Sequence, residues 1–94
     1  MGEIAFVNQA AEPIQRATVK VCDQTLTFTN LAPREVAHAT YRVNCEGHQD
    51  ADVVFQSGRS LHAELGYVTG GIDRTFHELL VTEAEITVGR TEIK

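Results

Sequence analysis

Asp50 to Leu65, "DADVVFQSGRSLHAEL", is the stretch on which the fold turns. Two short runs with alternating apolar residues flank Ser57-Gly58, the pattern of a β-hairpin. The faces of the two strands decide the loop length. A two-residue Ser57-Gly58 turn pairs Phe55 with Ser60 and Val53 with His62, setting apolar against polar. Because side chains alternate strictly, such a slip puts a whole strand on the wrong face. A three-residue loop, Gln56-Ser57-Gly58 with Gly58 left-handed as a G1 bulge, instead pairs Val53 with Leu61 and Ala51 with Ala63. That register also predicts Asp52 opposite His62 on the water-facing side.

The same period of two runs outward through the chain. Ile4 and Phe6 alternate with Ala5 and Val7, and the alternation breaks at Asn8 to Pro13, "NQAAEP". Ala17, Val19 and Val21 then face one way, with Thr18, Lys20 and Cys22 on the other. After a turn at Asp23-Gln24, Leu26 and Phe28 point inward while Thr25, Thr27 and Thr29 face water. Pro33 stops that strand, since it lacks a backbone donor and restrains the residue before it. Tyr41, Val43 and Cys45 share one face of the next strand, read as ending at Gly47, and Arg42, Asn44 and Glu46 share the other. In "TFHELLVTEAEITV", Thr75 and Glu78 fit a helical capping box, and a helix over 76–84 is possible. The β-branched, alternating Val81, Thr82, Ile86, Thr87 and Val88 favour a strand with Leu79 and Val81 inward, a turn over 82–85, and a last strand around Ile86 to Val88.

Seven or eight short strands spaced by about ten residues, without crossover helices, predict an all-β antiparallel sandwich. The 94 residues, 43% of them apolar and 22% charged, suffice for one domain (1–94) with one core. No apolar run approaches the roughly 20 residues of a membrane-spanning helix. The N-terminus "MGEIAFVNQ" reads as a strand and not a signal peptide, so the expected compartment is the cytoplasm.

Asn30 to Tyr41, "NLAPREVAHATY", resembles the Leu-x-Pro stretch and following tyrosine of fibronectin type III and related immunoglobulin-like domains, with Tyr41 standing later after Leu31 than in that family. The resemblance implies an immunoglobulin-like architecture and nothing about activity.

Thirteen acidic against eight basic residues give a net charge of −5, and the basic residues are scattered singly. Phosphate backbones require a clustered positive face, so nucleic acid is not an expected ligand, whereas the field of the molecule favours a basic protein partner. Cys22 and Cys45 fall on opposite phases, one outside and one inside, which argues against a disulfide between them. The four histidines lack metal-ligand spacing. The nearest approach to a metal site is His62 beside Asp52 with His77 on a neighbouring strand, and surface histidines are the expected alternative. Asp50 and Asp52 share a face and are read as edge charges that discourage strand addition. Glu78, Glu83 and Glu85 lie close in sequence, but a paired-carboxylate hydrolase needs a deep cleft that a small sandwich does not offer.

No catalytic residue, metal ligand or cofactor is expected, and the chain is read as a non-enzymatic binding protein. Its candidate contacts are Tyr67, Asp73 and Arg74 on the segment "GYVTGGIDRTFHE", an aromatic anchor with two charges on a connecting loop, together with His62 and Asp52. The expected role is an inhibitor or immunity-type protein that occludes a basic partner, as a monomer or weak homo-oligomer. The alternatives are a carbohydrate or cell-surface binding module from a larger protein and a structural subunit assembling through edge strands.

Overall fold

The computed structural model describes residues 2–21, 24–42, 47–68 and 75–93. Eight strands follow one another: β1 (Gly2–Asn8), β2 (Ile14–Val21), β3 (Gln24–Leu31), β4 (Val36–Tyr41), β5 (Gly47–Phe55), β6 (Ser60–Val68), β7 (Thr75–Val81) and β8 (Ile86–Ile93). They form two four-stranded sheets, ordered β4-β1-β7-β8 and β3-β2-β5-β6. The segment over 76–84 is strand and turn. Leu79 and Val81 are buried, and Thr82 closes the turn by donating its amide to the Glu85 carbonyl at 2.9 Å.

The β5–β6 hairpin has the register that the apolar faces demand: Ala51 lies opposite Ala63, Asp52 opposite His62 and Val53 opposite Leu61. Gly58 takes a φ of +92°, and its amide donates to the Phe55 carbonyl at 2.9 Å. A side chain there would be strained by the backbone alone, since nothing lies within 4 Å of an added Cβ.

The core lies between the sheets. Ile4, Phe6, Leu79 and Val81 from the first sheet meet Ile14, Val19, Val53 and Phe55 from the second. The Phe6 and Phe28 rings stack across the gap with centroids 5.0 Å apart. At one end, Asn8 is fully buried yet satisfied: its amide donates to the Glu12 and Leu31 carbonyls, each at 3.1 Å, and its Oδ1 accepts from the Ala10 amide at 3.0 Å. The neighbouring loops are tied together by Arg59, which pairs with Glu12 at 3.3 Å, donates to the Glu83 carbonyl and covers the Phe55 ring.

Several sequence expectations need correction. Asn8 is the last residue of β1 and not part of the break that follows it. β1 runs parallel to β7 between β4 and β7, so the sandwich is not wholly antiparallel. Asp50 and Asp52 are not edge charges, because β5 is an interior strand between β2 and β6. His77 belongs to the other sheet from His62 and is buried, with burial lowering its pKa. The strand containing Tyr41 ends, among the described residues, at Tyr41, and Val43 lies outside them with Cys22 and Cys45. Gln49, on the inner face of β5, is fully buried with neither side-chain amide atom hydrogen-bonded.

Candidate functional site: the outer face of the second sheet

The outer face of β3-β2-β5-β6 follows from its registers. Three rows of side chains cross the four strands: Thr29, Arg16, Val54 and Ser60; then Thr27, Thr18, Asp52 and His62; then Thr25, Lys20, Asp50 and Glu64. Each row is polar or charged except at Val54. Asp50, Asp52 and Glu64 are thus gathered on adjacent strands.

A β-bulge shapes one end of this face. The β2–β5 register shifts between Ile14 and Arg16, so that Gln15 and Arg16, consecutive residues, are both exposed. Opposite on β3, Asn30 has a φ of +53°, a left-handed conformation that its short polar side chain tolerates. An open groove of about 670 Å³ results, lined by Gln15, Arg16, Thr18, Thr29 and Asn30 on one side and Asp52 and Val54 on the other.

Asp52, on the wall of this groove, has its Oδ1 2.6 Å from Nδ1 of His62 on the adjacent strand, with both side chains about half exposed. The hydrogen bond and charge of Asp52, with smaller contributions from Asp50 and Glu64, raise the His62 pKa above its ordinary value. Two of the five contact residues expected from sequence therefore meet as expected. Tyr67 lies on β6 opposite His48, with its side chain outside the described residues, as are Asp73 and Arg74. Among the described residues, no group of three His, Cys, Asp or Glu side chains is placed to hold a metal ion.

Sequence reading missed the groove. The signal was present in the phase: Ile14 is out of step with Ala17, Val19 and Val21, and an apolar alternation that slips by one residue marks a bulge.

No protein-family model matches the chain. No curated protein matches it either. Among solved structures, an NMR structure of a protein from Eubacterium rectale is similar over 93% of this chain and 84% of that one, with a TM-score of 0.63 and 20% identity. At that identity the likeness concerns the fold alone, and it supports the two-sheet all-β architecture.

Proposed function

We propose that the chain is a non-enzymatic protein-binding domain that uses the outer face of its second sheet to occlude a basic partner, as an inhibitor or immunity-type protein does. The observation that carries this reading is the gathering of Asp50, Asp52 and Glu64 on that face, in a chain of net charge −5. Lys20 and Arg16 offset two of these three charges, and the third is left uncompensated once His62 has lost its proton. Such a field steers a positively charged partner and fixes its orientation. The immunoglobulin-like assignment is proposed with it: two packed four-stranded sheets and a β2–β5 pair in the place of the B–E pair support it, while β3 and β6 share a sheet with β2 and β5, and β4 pairs with β1, where those domains put C and F in the opposite sheet and D beside E.

Capture from a lysate of the native host tests the reading, with wild type and the triple variant Asp50→Asn, Asp52→Asn, Glu64→Gln immobilised side by side. These residues face outward on strands whose opposite face forms the core, so the variant keeps its fold. Wild type is expected to retain a basic protein at low salt and release it as the Debye length falls below about 10 Å, and the variant is expected to retain none. Retention indifferent to both salt and substitution contradicts the reading.

A further inference from the structure

Apart from Asp52, which bonds to His62, the polar side chains that line the groove have no partners among the described residues. Arg59, Glu12 and Glu83, exposed at the loop end, are each engaged with neighbouring chain. Gln15, Arg16, Thr18, Thr29 and Asn30 form no side-chain hydrogen bond or ion pair among the described residues. Their chemistry is mixed. The two amides and two hydroxyls can both donate and accept, Arg16 only donates, and Asp52 only accepts. An extended peptide backbone presents N–H and C=O groups alternately and needs both kinds of partner. A sugar ring would need an aromatic platform, and none of the residues that line the groove is aromatic.

We propose that this groove seats an extended basic peptide segment of the partner, one Lys or Arg side chain of which pairs with Asp52, and that His62 competes for the same carboxylate. This deepens the protein-binding reading and rests on it. While the His62 ring is protonated, its charge neutralises Asp52 from 2.6 Å away. When the proton leaves, the neutral ring still bonds to Asp52, but the carboxylate charge is open to a ligand cation. The charged groups facing His62 are Asp52 and Asp50 from β5 and Glu64 on its own strand. From β8, which also packs on β6, the described side chains Ile86, Thr87 and Val88 carry no charge. Lys20 stands beyond Asp50, and Arg16 is diagonal to Asp52 across the β2–β5 pair. All three carboxylates hold the proton on His62, so the release falls above the ordinary histidine value.

NMR titration with the capped peptide Ac-Gly-Arg-Gly-Arg-Gly-NH2, its citrulline twin and maltohexaose tests the proposal at pH values of about 5.5 and about 8.5. The arginine peptide is expected to shift the backbone amides of Arg16, Thr18, Asn30 and Val54. It is expected to bind roughly two- to fivefold more tightly at the higher pH, the worth of one exposed ion pair. Citrulline in the peptide or Asp52→Asn in the protein should remove that gain, and His62→Gln should make the affinity equal at both pH values. A pH difference that survives His62→Gln overturns the competition. Equal binding of both peptides, or a response to the oligosaccharide alone, overturns the basic-peptide assignment. If no groove amide responds while the triple variant still loses lysate capture, the groove proposal falls and the protein-binding reading stands; if capture is also indifferent to the triple variant, both fall.

Discussion

His62 Nδ1 stands 2.6 Å from Asp52 Oδ1 across the β5–β6 pair, on the side of the sheet that looks to water. The contact is a consequence of loop length. A hairpin one residue shorter would bring His62 opposite Val53, and the pair could not form. One glycine with a φ of +92° therefore positions a charged contact at His62, four residues further along the chain.

The His62 ring is expected to titrate with a midpoint above the ordinary value of about 6.5, readable from its ring proton shifts. A raised folded-state pKa stabilises the protein below the unfolded value, and that contribution is lost as pH rises through the folded value. Asp52→Asn should return the midpoint toward the ordinary value and flatten this part of the stability profile. An unshifted midpoint in wild type contradicts the geometry.

Two buried amides should respond oppositely to the same change. Gln49→Leu removes polar atoms that have no hydrogen bonds, and should raise the unfolding free energy by about 1 to 3 kcal/mol. Asn8→Leu strands the Ala10 amide and the Glu12 and Leu31 carbonyls, and should lower it by about 2 to 4 kcal/mol. Urea denaturation reads both, and a shared sign would contradict the assigned hydrogen bonding.

Gly58→Ala should cost about 1 kcal/mol, all of it from the backbone, because the added methyl meets nothing. Gly58→Asn should cost less, since asparagine tolerates a left-handed φ. Equal stability of all three proteins would mean that the loop does not hold Gly58 left-handed.

These residues also show how far the sequence could be read. The hairpin register and the turn at Thr82 were legible because each rests on local alternation and a nearby turn signal. The bulge at Gln15 left only a one-residue slip in phase. The parallel pairing of β1 with β7 joins Phe6 to Leu79, a contact set by tertiary packing that no local pattern encodes. Gln49 escaped notice because a glutamine on a strand is ordinarily read as water-facing. Asp52 and His62 were found through their register, while Arg16 and Asn30 were missed, since one depends on the bulge and the other on an unusual backbone conformation.

The claim on which the functional account rests is that binding occurs on the outer face of the second sheet. Site-specific photocrosslinking in native-host lysate tests it, with a photoreactive phenylalanine analogue placed at Val54 in one protein and at Val36 in another. Both positions are exposed, at 36% and 47%, and they lie on opposite outer faces of the sandwich. A salt-sensitive crosslink to a basic protein from position 54 and none from position 36 is the expected result. Crosslinking from position 36 alone would contradict the account.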